Sequence, residues 1–218
     1  MTLEQLINRE EAAWPMVQRW IAEASNLCEA LPPPDDTTRE QALLATQVTT
    51  RSPMGAIIYE TGGILIDHGW LRILGSGHAR LPRTLPGWNW GRSAGPAEGP
   101  PPFLLVADDA VGGFFAVDGG GLNLDKGKVC HHPPDTLSWE SMELSYCEFL
   151  DWCLNGNLTQ YYECFRWPAW KADVLTLPGN RMFCFYPFLS CEGPPLEQRS
   201  RREIPVDEVY SFNVGTNK

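Results

Sequence analysis

The sequence has no long apolar run. No stretch of its 218 residues approaches the roughly 20 consecutive apolar residues that a membrane-spanning helix needs. The N-terminal segment, MTLEQLINREEAAW, also lacks the basic start and the apolar centre of a secretion signal. We therefore expect a cytoplasmic protein that does not enter a membrane.

The common signatures of catalysis and cofactor binding are missing as well. The chain contains no G-x-x-x-x-G-K-[ST] phosphate loop, no G-x-S-x-G nucleophile turn and no C-x-x-C pair. Its seven cysteines are an odd number, which favours free thiols in a reducing compartment. These absences favour a protein that is not an enzyme and uses no cofactor.

Basic residues are scarce relative to acids. There are 17 Lys and Arg against 27 Asp and Glu, a formal net charge of −10. An acidic chain repels phosphate groups, so nucleic acid is not an expected partner. Nine acids and two bases lie in residues 103–157, which favours either a basic protein partner, such as a toxin domain, or solubility alone. Six acids near turns and on one helix face are the candidate partner-binding residues: Asp108, Asp109, Asp118, Asp125, Glu148 and Asp151.

Helical patterns dominate the N-terminal part of the chain. Thr2 and Gln5 have the spacing of a capping box and predict a short first helix. Apolar residues recur every three or four positions between Val17 and Leu27, which predicts a second helix with one buried face. A further capping-box pattern at Thr38 predicts a third helix.

Strand-like segments follow. GAIIYE and ILIDHGWLRIL predict two strands joined by a tight turn at residues 61–63, because both are rich in β-branched and aliphatic residues. PFLLVADD, GGFFAVD and GKVCHH predict three more strands of a meander. An amphipathic helix is expected from Ser138 to Gly156, and RMFCFYPFL predicts a strand near the C-terminus.

The order of these elements predicts an α+β fold. It comprises N-terminal helices, a largely antiparallel sheet, an amphipathic helix and a small C-terminal α/β extension. We expect residues 1–157 to form the core and residues 158–218 to form an extension packed on the same domain.

The stretch TGGILIDHGWLRILGSGH raises the question of a phosphate-binding loop. A dinucleotide site needs its glycines between a strand and a helix. Gly75-Ser76-Gly77 is instead followed by HARLPRTLPGW, whose two prolines exclude a helix at that point. These glycines are therefore interpreted as residues that form turns and bulges.

The loop from residue 75 to residue 102 contains the most distinctive surface candidate. Arginines and tryptophans in and before it could line an anion-binding pocket with cation–π contacts. The alternative is that the tryptophans cover the edge of the sheet and the arginines pair with acids further along the chain. The residues concerned are Trp70, Arg72, Arg80, Arg83, Trp88, Trp90 and Arg92.

Two short patterns resemble metal sites, and neither predicts one. His131 and His132 are adjacent on a predicted strand, so their side chains point to opposite faces and cannot easily share an ion. The segment DGGGLNLD lacks the regular acids and the final Glu of a calcium loop, and a glycine-rich hairpin turn is expected there. We expect no metal.

Four segments carry a family resemblance: LLATQVTTRSPMGAIIYETGGILIDHGWLRILGSG, VADDAVGGFFAVDGGG, PPDTLSWESMELSYCEFLDWCLNG and YYECFRWPAW. Together they resemble a bacterial family known only as a domain of unknown function. More distantly, the glycine pair before a strand, GGFFAVD and a helix ending FLDWCL resemble the SUKH superfamily. That resemblance implies an α+β fold and, for many members, an immunity protein that neutralises a toxin. It implies no catalytic residues at positions in this chain.

Three functional hypotheses follow from the sequence. The first is a non-catalytic cytoplasmic binding protein, such as a toxin-neutralising immunity protein, whose acids attract a basic partner. The second is a structural or self-associating scaffold protein that forms a homo-oligomer. The third is a small-ligand binder or enzyme that uses the Arg/Trp-rich loop of residues 70–92.

Overall fold

The structure is a computed structural model that describes residues 1–95 and 99–215. Its largest unit is a seven-stranded sheet in which strand order follows chain order and every neighbouring pair is antiparallel. This arrangement confirms the α+β class and the meander. The strands are β1 (Cys28–Leu31), β2 (Gly63–Ile66), β3 (Leu71–Leu74), β4 (Phe103–Asp109), β5 (Phe114–Asp118), β6 (Val129–His132) and β7 (Glu140–Leu144).

Helices surround the sheet, and a separate hairpin follows it. The hairpin pairs β8 (Arg181–Tyr186) with β9 (Ser200–Pro205) in antiparallel register. Phe183 N, on β8, donates a hydrogen bond of 2.8 Å to Ala110 O, just beyond β4, so the hairpin docks on the end of the main sheet. The helices are α1 (Leu3–Leu6), α2 (Trp14–Ala22), α3 (Asp36–Thr46), α4 (Pro53–Glu60), α5 (Leu85–Asn89), α6 (Tyr146–Asn155), α7 (Leu158–Tyr161), α8 (Trp170–Thr176) and α9 (Val206–Asn213).

The core lies on both faces of the central strands. All four residues of β2 and all four of β3 are buried. A strand covered on both faces needs apolar residues without alternation, which is what GILI and LRIL provide apart from Arg72. Within residues 1–95 and 99–215, no helix is both long enough and apolar enough to cross a membrane.

The segment GAIIYE forms a helix, so the predicted strand there is wrong. Ser52 begins α4: its side chain accepts a hydrogen bond from Gly55 N, and Pro53 occupies the first turn, where a missing N–H costs nothing. Because a short apolar run fits a buried helix as well as a buried strand, periodicity alone could not separate the two. The segment ILIDHGWLRIL, predicted as one strand, contains a turn at Asp67–Gly69 that separates β2 from β3.

The amphipathic helix begins later than predicted. The segment after Ser138 forms the edge strand β7, and α6 begins at Tyr146. Ser145 caps it: Ser145 N donates to Glu148 Oε2 at 2.7 Å, and Glu148 N donates to Ser145 Oγ at 3.4 Å. This reciprocal pair is a capping box, and it lies seven residues after Ser138, the predicted start of the helix.

Two N-terminal boundaries also differ from the predictions. The second helix ends at Ala22, and Cys28–Leu31 forms the edge strand β1 instead of extending it. Asp35, not Thr38, caps α3, since its carboxylate accepts a 2.7 Å hydrogen bond from Thr38 N. The start of α1 is as predicted, with Thr2 N bonded to Gln5 Oε1 at 2.9 Å.

The long loop predicted over residues 75–102 contains a helix, α5, so it is only partly irregular. Its residues 96–98 lie outside the described part of the chain, as do residues 216–218 of the predicted extension. The Asn89 side chain ties the loop to β4 because Leu105 N donates to Asn89 Oδ1 at 2.8 Å.

The glycines near β2 allow segments of backbone to touch. A Cβ on Gly62 would lie 2.3 Å from Gly77 O, and one on Gly75 would lie 2.6 Å from Thr61 O. Any side chain would therefore collide with main-chain atoms that cannot move aside. Gly62 and Gly75 are therefore required by close backbone packing, whereas the sequence predicted a role in turns and bulges.

Candidate functional site

One buried carboxylate, Asp108 on β4, holds two arginines. Arg72 Nε lies 2.6 Å from Asp108 Oδ1, and Arg83 Nη1 lies 2.5 Å from Asp108 Oδ2. Arg72 and Asp108 are direct partners in the β3–β4 ladder, so the register of the sheet brings them together. Charges removed from water need such pairing, because an isolated buried charge is very costly.

The same guanidinium groups connect the main sheet to the segment that leads into β8. Arg72 donates to Arg181 O and to Asp109 O, both at 2.7 Å. Arg83 donates to Gly179 O from Nε at 3.2 Å and from Nη2 at 2.8 Å. Burial lowers the pKa of Arg72, and the charge of Asp108 opposes that effect. These contacts give both arginines a role in holding the fold together.

A second buried polar group begins at Asp109, the next residue on β4. Its Oδ1 accepts hydrogen bonds from Val111 N at 3.0 Å and from Gly113 N at 2.8 Å. Its Oδ2 lies 3.9 Å from His131 Nε2, and neither atom has a hydrogen-bond partner among the described residues. On the far side of the ring, His131 Nδ1 lies 2.8 Å from the hydroxyl of Tyr161, a residue that is partly exposed.

Burial sets the protonation of this Asp–His–Tyr group. It raises the pKa of Asp109 to about 6 and lowers the pKa of His131 to about 3. It also raises the pKa of Tyr161 above its ordinary range, with a smaller contribution from the charge of Asp109. His131 is therefore neutral and Tyr161 protonated at neutral pH. A phenol with a raised pKa is a poor nucleophile and a good hydrogen-bonding group.

Three of the six candidate partner-binding acids are inside the protein, which corrects the prediction for them. Asp108 and Asp109 are 0 % exposed and Asp118 is 1 % exposed. Asp118 accepts hydrogen bonds from three backbone amides of its own turn, at 2.6 to 3.2 Å. Their carboxylates bond to arginines and to backbone N–H groups, so they are not available to a partner.

The other three candidates, Asp125, Glu148 and Asp151, are exposed. Glu148 and Asp151 belong to a larger group of exposed acids. Residues 129–165 contain six acids and no Lys or Arg, and all six are exposed. We call this set the acidic surface: Asp135, Glu140, Glu143, Glu148, Asp151 and Glu163. Charges of Glu140 and Asp135 help to raise the pKa of Tyr161, which places Tyr161 within their electric field.

The residues of the alternative Arg/Trp pocket do not line one site. Trp70 is 0 % exposed and packs edge-on against Trp170, with ring centroids 5.2 Å apart. Trp88 is also buried, and the Arg92 guanidinium lies 3.7 Å from its ring centroid. Trp90 is 62 % exposed. The tryptophans thus divide between the core and the surface, while Arg72 and Arg83 pair with an acid.

The two adjacent histidines lie in different surroundings. His131 stacks on Phe115 with ring centroids 4.3 Å apart, whereas His132 meets Trp139 edge-on at 5.1 Å. No set of three or more His, Cys, Asp or Glu side chains that could hold a metal ion is found in the described ranges, residues 1–95 and 99–215.

Comparison with known proteins assigns the family. Residues 3–209 match the family described as "Protein of unknown function DUF2625". The chain belongs to this family. The predicted membership of a family of unknown function is thereby confirmed.

Two full-length relatives support the DUF2625 assignment. An uncharacterized protein of Haemophilus influenzae is 43 % identical over 213 residues, which cover 97 % of this chain and 93 % of the relative. The "Putative uncharacterized protein YbfG" of Escherichia coli is 45 % identical over 210 residues, which cover 96 % of this chain and 94 % of the relative.

No sequence pattern in this DUF2625 protein predicted Tyr161 as a site residue. The residue lies in YYECFRWPAW, which was assigned no clear element, and no motif marks it. Only the fold places its hydroxyl against His131. The run of acids without a base between residues 129 and 165 was visible in the sequence, and it would have identified the exposed set better than the wider window did.

Proposed function

We propose that this DUF2625 protein is a non-catalytic binding protein that holds a basic protein partner on the acidic surface. In this proposal it acts as an immunity-type protein does when it neutralises a toxin, in keeping with the resemblance to the SUKH superfamily. The observation that carries the proposal is the exposure of all six acids in a segment without Lys or Arg.

The density of charge supports a role beyond solubility. The whole chain has an excess of 10 acids over 218 residues, whereas residues 129–165 have an excess of six in about one sixth of that length. Surfaces built for solubility alone intersperse charges of both signs. Among the described residues, the acidic surface has one ion pair with a base, between Glu148 Oε2 and Lys128 Nζ at 3.8 Å. Such a surface attracts cations and accelerates the association of a basic partner.

Tyr161 provides an anchor beside these charges. Its side chain is 39 % exposed, and its ring meets Trp152 edge-on with centroids 4.8 Å apart. The bond to His131 fixes the hydroxyl, so a partner would meet an aromatic side chain that has already lost its freedom to rotate. Preordered Tyr and Trp side chains carry a large share of the binding energy in protein interfaces.

The chemistry of the surface suits a partner that itself binds nucleic acid. Proteins that bind phosphate backbones present clusters of Lys and Arg. Carboxylates can take the place of phosphates against those clusters, with charge-assisted hydrogen bonds to arginine. A toxin domain of the nuclease class has this character, and blocking its basic surface would inhibit it without any catalytic step.

The proposal is tested by pull-down from the native host, followed by kinetics with the captured partner. The variant E140K/E148K/D151K reverses three charges of the acidic surface, and E4K/E23K/E197K reverses three exposed acids elsewhere as a matched control. We expect the first variant to slow association at least tenfold and the control to retain more than half of the rate. The wild-type rate should also fall as salt is raised from about 50 mM to about 300 mM.

Equal rates for the two triple variants, or a rate that does not depend on salt, would contradict the proposal. Tyr161→Ala separates anchoring from steering. It should accelerate dissociation while leaving the salt dependence of association unchanged, because an uncharged side chain contributes little at long range.

A further inference from the structure

A cavity of about 260 Å³ lies beside Arg72 and is lined in part by the segment that leads into β8. Its walls come from the turn at Asp67–Gly69, from residues 79–82 and from residues 174–180, which follow the middle of α8. Of the arginines and tryptophans considered for the Arg/Trp pocket, Arg72 and Arg80 line this cavity, and none of the tryptophans does.

The lining combines positive charge with apolar surface. Arg72 and Arg80 line it together with His68, and none of the described residues that line it is Asp or Glu. The apolar part comprises Leu65, Val174, Leu177 and Pro178. Because basic side chains line one part of the cavity and aliphatic side chains line another, the cavity fits a ligand that has both a negative charge and an apolar part.

We propose that this cavity binds a small organic carboxylate. The carboxylate is held by Arg80 and His68, and the hydrocarbon part lies against Leu65, Val174 and Leu177. A volume of about 260 Å³ leaves room for an acid of about six carbons. The site is independent of the acidic surface, so this inference stands apart from the proposed protein-binding function.

Arg80 is available to a ligand. It is paired with Glu29 at 2.6 Å, but the two side chains are 51 % and 53 % exposed. Such exposed pairs contribute little to stability, so a ligand carboxylate can compete for the guanidinium. Arg72 differs, because it is buried and bonded to Asp108 and Arg181 O, and it forms a fixed part of the cavity wall.

The turn Asp67–Gly69 brings His68 to the wall of the cavity, and its backbone adopts an unfavourable conformation to do so. Asp67 and His68 have φ angles of 50° and 65°, which are unfavourable for residues with side chains. Arg166 bonds the Asp67 carboxylate, and the His68 ring meets Trp170 edge-on with centroids 5.9 Å apart. The surrounding contacts thus hold His68 in place at the wall of the cavity.

The experiment titrates hexanoate into the ¹⁵N-labelled full chain and follows backbone amide resonances. We expect saturable shifts for the amides of residues 174–177, of Gly179 and Asn180, and of Arg80. Hexanol, which has the same hydrocarbon part without the charge, should bind at least about tenfold more weakly. Inorganic phosphate, which has charge without hydrocarbon, should also bind at least about tenfold more weakly.

Arg80→Gln should weaken hexanoate binding about tenfold. Arg51→Gln is the matched control, since Arg51 is likewise an exposed arginine paired with an exposed acid, Glu11, and it should leave the affinity unchanged. Both arginines are on the surface, so the variants are expected to fold, and thermal unfolding verifies this.

Equal binding of hexanol and hexanoate, equal binding of phosphate and hexanoate, or equal effects of the two arginine variants would each overturn the proposal. None of these measurements involves a protein partner. A failure here therefore leaves the acidic-surface proposal untouched, and the reverse also holds.

Discussion

Arg72 and Asp108 face each other on neighbouring strands, with Arg72 Nε 2.6 Å from Asp108 Oδ1 and both side chains removed from solvent. Arg83 approaches the second oxygen of the same carboxylate. One acid thus neutralises part of the charge of two buried guanidinium groups. The arrangement is more important for keeping β3, β4 and the segment before β8 together than for binding anything, because every contact is internal.

Replacing Asp108 by Asn should destabilise the protein by about 3–5 kcal/mol. The variant leaves two buried arginines without their counter-charge, and breaking a buried pair from one side is costly. The free energy of unfolding, measured with urea, provides the check. Glu29→Gln breaks the exposed pair with Arg80 and should cost about 0–1 kcal/mol. A loss of less than 1 kcal/mol in Asp108→Asn would show that the charges are solvated in some other way.

His131 should make the protein less stable in acid. Its pKa is lowered to about 3 in the folded state, whereas the unfolded chain takes up the proton below about pH 6.5. The stability from this group is present above pH 6.5 and is lost as pH falls towards 3. The difference in unfolding free energy between wild type and His131→Gln should therefore fall by about 2 kcal/mol between pH 7 and pH 5. A difference that stays constant over that interval would contradict the burial of a neutral imidazole.

Asp109 should have the opposite dependence on pH. Its pKa is raised to about 6 by burial, above the value of about 3.9 in an unfolded chain. Its contribution to stability is present below pH 4 and is lost as pH rises through 6. Relative to Asp109→Asn, which keeps an oxygen for Val111 N and Gly113 N, the wild type should lose about 2–3 kcal/mol between pH 4 and pH 7.

Urea unfolding of both proteins at several pH values tests this sign. A wild type that gains stability relative to Asp109→Asn as pH rises would mean that the carboxylate is ionised and paired. The opposing signs for Asp109 and His131 also predict that the wild-type stability itself changes less between pH 4 and pH 6 than that of either variant.

Gly62→Ala should destabilise the protein by about 2 kcal/mol or more, because the added Cβ would lie 2.3 Å from Gly77 O and 2.8 Å from Pro32 O. Gly95→Ala is the matched control: nothing lies within 4 Å of a Cβ at that position. The control should change the unfolding free energy by no more than about 0.5 kcal/mol. Thermal or urea unfolding distinguishes the two variants, and equal stabilities would refute the close backbone packing at Gly62.

Whether a segment was predicted correctly depended on how distinctive its local sequence pattern is. The strands β4 and β5 were predicted because glycines and acids bound their apolar runs. GAIIYE was assigned to the wrong class because a buried helix and a buried strand are equally apolar, and the cap at Ser52 was overlooked. The start of the amphipathic helix was predicted too early because Ser138 followed by Glu140 also fits the start of a helix, whereas the capping box is Ser145 with Glu148.

The residues of the candidate site could also be predicted only in part from the sequence. The sequence contained the acid-rich segment and the concentration of arginines, but not which acids would meet which arginines. Asp108 and Asp109 are adjacent to each other in a strand of apolar residues, and they looked like surface charges near a turn. The register of β3 against β4, with Arg72 opposite Asp108, decided that they are internal.

The amino-acid sequence by itself determined the α+β class, the family and the run of six acids without a base, because composition and local periodicity are properties of neighbouring residues. Only the tertiary structure decided which carboxylates reach solvent and which side chains surround Tyr161. A buried charge is tolerated only where distant parts of the chain supply its partners, and that supply depends on how strands and loops pack in three dimensions.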